Sequence, residues 1–100
     1  DIALITLSGQ DEKELMLATK QLSDTFKEMT EGEYADVACI HYGPFEAPVY
    51  KVDNRYRMRM VIKCKLNKRS REMFEKLMIK FSKLPSSKAV FGIDFNPSNL

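Results

Sequence analysis

The sequence predicts a single α+β domain with two helices on one face of an antiparallel sheet, and three observations lead to this fold class. Two stretches repeat apolar residues at helical spacing, and four short apolar stretches have the character of strands. Their order along the chain is strand, helix, strand, strand, helix, strand. With 100 residues, of which 44% are hydrophobic and 30% charged, the chain has the size and composition of one globular domain.

The first half of the chain supplies a buried strand and an amphipathic helix. Residues 2–7 form an apolar run, which predicts the strand. Asp11 and Glu14 have the spacing of a capping box, and Gly32 is a common type of helix end, so a helix is predicted over 12–29. Its inward side chains are Leu15, Ala18, Leu22, Phe26 and Met29.

The middle of the chain predicts a second strand and then a hairpin. Residues 36–42 form the strand, which we expect Gly43-Pro44 to close, with Pro48 at the end of a short loop. Residues 49–66 alternate with a period of two, and the turn-forming residues at 53–54 interrupt them. The parity predicted to face the helices is Tyr50, Val52, Tyr56, Met58, Met60, Ile62, Cys64 and Leu66; the outward parity is Lys51, Arg55, Arg57, Arg59, Val61, Lys63 and Lys65.

The last part of the chain predicts a helix over 68–84, a break at 85–87 and a final strand over 89–95. The inward helix positions are Met73, Phe74, Leu77, Met78, Phe81 and Leu84. The complete order is that of the ferredoxin-like split βαβ fold, βαββαβ, which leaves one sheet face open to solvent.

Catalytic and metal chemistry find no support in the sequence. The four glycines are scattered, so no loop can cradle a nucleotide triphosphate, and the two cysteines fit a reducing compartment without forming a zinc site. Cys39 and the single histidine, His41, would lie about 7 Å apart as neighbours on one strand face, too far for a nucleophilic pair. We therefore predict a packed cysteine beside a surface histidine, and no catalytic residue, metal or cofactor.

Charge is divided unevenly along the chain. Residues 1–50 hold 10 acidic and 3 basic side chains (−7), and residues 51–100 hold 13 basic and 4 acidic ones (+9). A half this basic favours an anionic partner such as a phosphate backbone, although a lysine-rich solvated surface would look similar. The predicted DNA-binding residues are Lys51, Arg55, Arg57, Arg59, Lys63 and Lys65, and the five from Arg55 onward form an outward row up to about 33 Å long.

A second predicted anion site lies at the start of the second helix. Lys68, Arg69 and Arg71 stand where backbone amides and the positive end of the helix dipole also point outward. Such a site would take either a second stretch of phosphates or the acidic tail of a partner protein.

Several segments of the chain resemble one family. They are Gly-Pro-Phe-Glu-Ala-Pro-Val at 43–49, Arg-Tyr-Arg at 55–57, Met-Val-Ile-Lys at 60–63 and Gly-Ile-Asp-Phe-Asn-Pro at 92–97. Together they resemble the C-terminal domain of the PriA family of primosomal replication-restart helicases (primosomal protein N'). Asn54 stands where the family often has glycine, and Met58 and Arg59 replace a common aromatic-glutamine pair, which removes one base-stacking ring.

The resemblance implies a non-catalytic C-terminal module, residues 1–100, cut from a longer superfamily 2 helicase, with a fold similar to that of a small-subunit ribosomal protein. It implies binding to branched or single-stranded DNA at stalled forks, help in assembling the primosome, and a location in the bacterial cytoplasm at the nucleoid. The implied partners are the single-stranded-DNA-binding protein, other primosome proteins and the helicase core of the same chain. ATP and zinc would belong to other parts of the parent protein.

Two alternatives remain on the residues alone. A ferredoxin-like RNA-binding domain usually exposes aromatic rings on its sheet, and the outward parity of the long strand has almost none. A regulatory domain that binds a small molecule or a protein would need an apolar pocket or patch, which the sequence does not specify.

Overall fold

The computed structural model describes residues 1–84 and 89–98. Its elements are β1 (Ile2–Gly9), α1 (Glu12–Glu31), β2 (Cys39–Val52), β3 (Arg55–Cys64), α2 (Lys68–Ser82) and β4 (Val90–Phe95). All neighbouring strands pair antiparallel, in the sheet order β2-β3-β1-β4. This arrangement confirms the predicted ferredoxin-like βαββαβ class. The predicted helix break at 85–87 lies outside the described residues.

The core lies between the two helices and one face of the sheet. β1 contributes Ala3, Ile5 and Leu7; β3 contributes Met58, Met60 and Ile62; the helices contribute Leu15, Leu22, Phe26, Met73, Leu77 and Phe81, all at most 4% exposed. The buried residues of β3 alternate with outward-facing ones, which confirms the predicted register of this strand. A slip of one residue would bury the cations, and this cost explains why the register is fixed.

Local capping explains where both helices begin. In α1 the Asp11 carboxylate accepts a hydrogen bond from the Glu14 amide at 3.0 Å, as predicted. In α2 the Asn67 side chain accepts from the Ser70 amide, and the Ser70 hydroxyl accepts from the Asn67 amide, both at 2.9 Å. This reciprocal pair, which the sequence analysis missed, starts a helix whose first turn has no acidic residue.

The predicted faces of α2 need one correction. Met73, Leu77 and Phe81 are buried as predicted, but Met78 is 47% exposed. Its position one residue after Leu77 turns its side chain by about 100° from that of its neighbour, toward the flank of the helix. The helix also ends at Ser82, two residues before the predicted end.

β2 differs most from the prediction. It is a 14-residue strand that continues through Gly43-Pro44 and Pro48, where a strand end and a loop were expected. Register shifts between Tyr42 and Phe45, and again before Lys51, let the extra residues bulge out of the pairing with β3. Proline fits here because an edge strand needs no hydrogen-bond donor on its outer side.

The hairpin between β2 and β3 turns at Asp53 and Asn54, whose φ angles are 50° and 61°. The predicted turn is thus confirmed, with the backbone that a tight two-residue hairpin requires. A two-residue turn, however, pairs Lys51 with Tyr56. The expectation that Lys51 shares a face with Arg55 is therefore wrong, because the number parity of a face changes across such a turn.

Candidate nucleic-acid interface

The sheet face away from the helices is uncovered. The smallest extent of the Cα atoms is 16 Å, which leaves room for one layer of helices on the sheet and no second layer. We call this surface the open face. By strand pairing it comprises Ile2, Leu4, Thr6 and Ser8 of β1; Arg55, Arg57, Arg59, Val61 and Lys63 of β3; Ile40, Tyr42, Phe45 and Val52 of β2; and Val90, Gly92 and Asp94 of β4.

Three cations of the open face form a row along the central strand β3. Arg57, Arg59 and Lys63 span about 20 Å at the rise of an extended strand. None of the three side chains makes a hydrogen bond or ion pair with the part of the chain that the structure describes. Their partners across the β1 pairing are uncharged, for example Thr6 opposite Arg59. The structure thus brings these three predicted residues together, with no neutralising group between them; we call them the cationic row.

Arg55 lies at one end of the cationic row and is held differently. Its Nη2 donates to the carbonyl oxygen and to the Oγ of Ser8, each at 3.2 Å. The side chain also borders a cleft lined by Asp11 and Glu14. Arg55 is therefore anchored to the end of β1, and part of its donor capacity is already used.

The other two predicted DNA-binding residues lie off the open face. Lys51 belongs to the side of Tyr56, and its Nζ lies 5.1 Å from the centre of that ring. Lys65 follows the end of β3 and borders a cleft of about 300 Å³ together with Asp36 and Arg69.

Exposed apolar side chains of β2 adjoin the cationic row. Ile40, Tyr42 and Phe45 are 60%, 50% and 40% exposed, and they pair with Lys63, Val61 and Arg59. The outward parity of β3 carries no aromatic ring, as predicted, but β2 adds Tyr42 and Phe45 to the same face. Alternation within the predicted strand 36–42 could have placed Ile40 and Tyr42 on the outward face. No sequence signal placed Phe45 there, since it fell in a predicted loop.

The predicted cluster at the start of α2 is organised around Arg69. Its Nε and Nη2 donate to the Asp36 carboxylate at 3.1 and 3.2 Å, and its Nη1 donates to Glu72 Oε2 at 2.6 Å. Nη2 also donates to the Glu33 carbonyl oxygen, and the guanidinium lies 4.2 Å from the centre of the Tyr34 ring. Arg69 therefore fastens the turn after α1 to the start of α2.

Titration of this network follows from its contacts. Hydrogen bonding from Arg69 holds the pKa of Asp36 below its ordinary value, and hydrogen bonding from Lys76 does the same to the pKa of Glu33. Burial of the Tyr34 ring, and its hydroxyl donating to Glu72 at 3.0 Å, raise the pKa of that phenol. Arg69 and Lys76 thus favour the ionised forms of their carboxylate partners, whereas Glu72 favours the neutral form of the Tyr34 phenol.

Lys68 and Arg71 remain outside this network. Arg71 lies 5.7 Å from the centre of the Phe95 ring, and neither cation forms an ion pair with a described carboxylate. The Ser70 amide is occupied by the capping box. The structure therefore does not bring Lys68, Arg69 and Arg71 together as three available cations.

The cysteines and the histidine are placed as predicted. Cys39 is partly buried, His41 is exposed with its ring centre 5.8 Å from that of Phe26 in an edge-to-face arrangement, and Cys64 is buried opposite Cys39. Burial raises the pKa of both thiols. Across the described ranges, no group of three histidine, cysteine or acidic side chains is arranged to hold a metal ion. Neither described helix has the length and apolar character needed to span a membrane.

Comparisons with known proteins support the fold and then the family. The de novo designed protein LFR1 1, described as having a ferredoxin fold, superposes with a TM-score of 0.61 at 10% identity, covering 98% of this chain and 85% of that one. The designed protein Foldit4 gives 0.57 at 12% identity, covering 96% and 97%. No curated protein matches the sequence. The model of one family, the primosomal protein N C-terminal domain, matches residues 1–98, and the chain therefore belongs to that family.

Proposed function

We propose that this domain is a non-catalytic module that binds branched or single-stranded DNA at stalled replication forks and helps to assemble the primosome. The observation that carries the proposal is the cationic row, Arg57, Arg59 and Lys63, on a central strand, with no acidic partner among residues 1–84 and 89–98. Membership in a primosomal family supports DNA as the polyanion.

Electrostatics favour a polyanion at this position. The Cα atoms of Arg57 and Arg59 lie about 7 Å apart on one face of β3, so the two nearby positive charges repel each other and attract anions. The one acid among the paired strand residues of the open face is Asp94, two strands and about 10 Å away from β3. DNA phosphates bound between these side chains would remove the repulsion, and binding would release condensed counterions from the DNA. The two guanidinium groups also offer bidentate contacts to phosphate.

The remaining proposed partners follow from the family resemblance. In a longer primosomal helicase, this domain would contact the helicase core of its own chain, the single-stranded-DNA-binding protein and other primosome proteins. It would act at the nucleoid in the bacterial cytoplasm. ATP and zinc would be bound elsewhere in that parent, and this domain would have no ATPase or unwinding activity by itself.

An acidic protein tail is a second proposed ligand, and Lys68 and Arg71 are the residues we assign to it. Both are exposed and have no ion pair with a described carboxylate, whereas Arg69 is occupied by Asp36 and Glu72. Titration with an acidic-tail peptide tests the assignment: Lys68→Gln/Arg71→Gln should weaken peptide binding and leave binding of naked DNA nearly intact. Unchanged peptide affinity in that variant would exclude the site.

Fluorescence anisotropy with a labelled synthetic fork, single-stranded DNA and RNA at several salt concentrations tests the main proposal. The variant Arg57→Gln/Arg59→Gln/Lys63→Gln should reduce the slope of log affinity against log salt by about two on single-stranded DNA, close to 0.7 for each lost contact.

The control Lys13→Gln/Lys27→Gln/Lys83→Gln removes the same charge from exposed positions away from the open face, and it should keep nearly the full slope. Equal losses in the two triple variants would show that general charge, and not the cationic row, accounts for binding. A wild-type domain that binds none of the three nucleic acids would refute the proposed function.

A further inference from the structure

Two aromatic side chains on the open face make no contact with another aromatic ring of the described residues. Tyr42 and Phe45 are 50% and 40% exposed, on the edge strand next to the cationic row. The ring contacts within the described residues join other aromatic side chains, namely Phe26 with His41, Tyr50 with Tyr56, Phe74 with Phe95 and Phe81 with Phe91. Tyr42 and Phe45 are thus not used in the core, although large apolar side chains are usually buried.

The Tyr42 ring continues into an apolar strip on β3 and β1, and the Phe45 ring lies beside a polar row. Tyr42 is opposite Val61 on β3, and Val61 is opposite Leu4 on β1. Phe45 is opposite Arg59, followed by Thr6 and then Gly92, where a Cβ would meet nothing within 4 Å. Flat apolar groups can therefore lie over Val61 and Leu4, directly beside the Arg59 guanidinium.

Gly43 fixes the position of the Phe45 ring. Its φ of +92° is one that glycine adopts without strain, and a Cβ there would lie 2.6 Å from Phe45 Cδ1 and 3.1 Å from the Arg59 carbonyl oxygen. The glycine thus lets the ring lie close against the backbone of the bulge. A ring held in this way loses little conformational entropy when a ligand stacks on it.

We propose that Tyr42 and Phe45 are a base-stacking platform, so that the open face prefers single-stranded DNA with unpaired bases. This inference rests on the proposed function, which supplies the DNA. The β3 partners of Tyr42 and Phe45 are two residues apart, so the two side chains leave the backbone at positions spaced by about 6.6 Å along the strand direction. Cations on β3 lie one strand spacing away, about 4.8 Å, where the phosphates of stacked nucleotides can reach them.

Unpaired bases distinguish this platform from a purely electrostatic surface. In a duplex the base faces are already stacked on each other, so the rings can contact the ends of a duplex but not its interior. Stacking on aromatic side chains tolerates any base, since every base has a π-face. The platform therefore gives a preference for strand state and none for sequence.

The test compares wild-type binding of a labelled oligo(dT) with binding of an abasic oligonucleotide of the same length and charge. Losing the bases should weaken binding at least about five-fold, the lower end of what one stacked base contributes. The variant Tyr42→Leu/Phe45→Leu keeps apolar area but removes both rings, and it should bind the two oligonucleotides equally.

The matched control is Leu17→Ala/Ile79→Ala, which alters exposed apolar side chains of the two helices, 49% and 48% exposed, and should retain the wild-type preference. Wild-type protein that binds abasic and base-containing strands equally would overturn the platform while leaving charge-based binding intact. Tighter binding of oligo(rU) than of oligo(dT) would overturn the assignment of DNA. A wild-type domain that binds none of these oligonucleotides would instead refute the proposed function itself.

Discussion

The cationic row on the open face and the start of α2 each have three cations close together in sequence, but the two sets have opposite environments. At α2, the guanidinium of Arg69 is bound by Asp36, Glu72 and a backbone carbonyl. On the open face, Arg57 and Arg59 have no such partner among the described residues. The number of charges in a segment therefore does not identify a binding surface; the acids within reach of them do.

Chain topology explains the difference between the two regions. The turn after α1 belongs to the acidic half of the chain, and the fold places it beside the start of α2, where Glu33 and Asp36 meet Lys76 and Arg69. The sheet separates these carboxylates from the open face. Acids on the helix side thus neutralise α2 but cannot reach the cationic row.

The largest effect is expected on the α2 side, from Tyr34→Ala. The ring is 1% exposed and packs under Arg69, so its removal should cost about 3–5 kcal/mol in the free energy of unfolding. Urea unfolding measures the loss. The fraction that remains folded should show the wild-type salt slope for DNA, and a reduced slope would mean that the two regions are coupled.

On the open face, Arg57→Gln/Arg59→Gln should change binding and leave stability alone. Neither side chain has a partner in the described fold, so the free energy of unfolding should stay within about 0.5 kcal/mol of wild type. The slope of log affinity against log salt on single-stranded DNA should fall by about 1.4. A large loss of stability in urea unfolding would show that these arginines stabilise the fold, and would contradict the difference between the open face and the start of α2.

The reverse pattern is expected for Arg69→Gln. The variant breaks the contacts with Asp36 and Glu72, so the melting temperature should fall, while the salt slope for DNA stays at the wild-type value. Calorimetry and anisotropy on the same preparation check both quantities. If the slope fell as far as in a single Arg59→Gln variant, the distinction between the regions would be lost.

The smallest expected effect is on the stability of the fold at acid pH. The folded-state pKa of Asp36 lies below its ordinary 3.8 and that of Glu33 below its ordinary 4.5. Their stabilisation is therefore complete above about pH 4.5 and is lost as the pH falls through the lowered values, because the unfolded chain binds protons more readily there. Thermal melts from pH 6 to pH 2.5 should show a shallower acid slope in Lys76→Gln. An unchanged slope would indicate that the Glu33 pair contributes nothing.

Local patterns predicted most of the fold. The alternation in β3, the Asp11 cap and the turn at residues 53–54 are each decided by neighbours in sequence, and all three are confirmed. β2 could not be predicted in this way, because its bulges exist only relative to β3, and Gly43-Pro44 is by itself an ordinary loop signal.

The candidate site, like the fold, could be predicted only where local sequence patterns decide the placement of a residue. Arg57, Arg59 and Lys63 follow from parity within one strand, whereas Lys51 lies across a turn that reverses the parity of the face. The bonding of Arg69 to Asp36 joins residues 33 positions apart and has no local signature. Contacts of that kind depend on the packing of elements distant in sequence.

The two bulges of β2 also bear on self-association. An edge strand with exposed apolar side chains and a free row of backbone donors and acceptors is a template on which another copy can add a strand. Pro44 and Pro48, one within each register shift, remove donors from that row, and the irregular pairing bends the strand out of a flat ladder. The edge can therefore present Tyr42 and Phe45 to solvent while remaining a poor seed for aggregation.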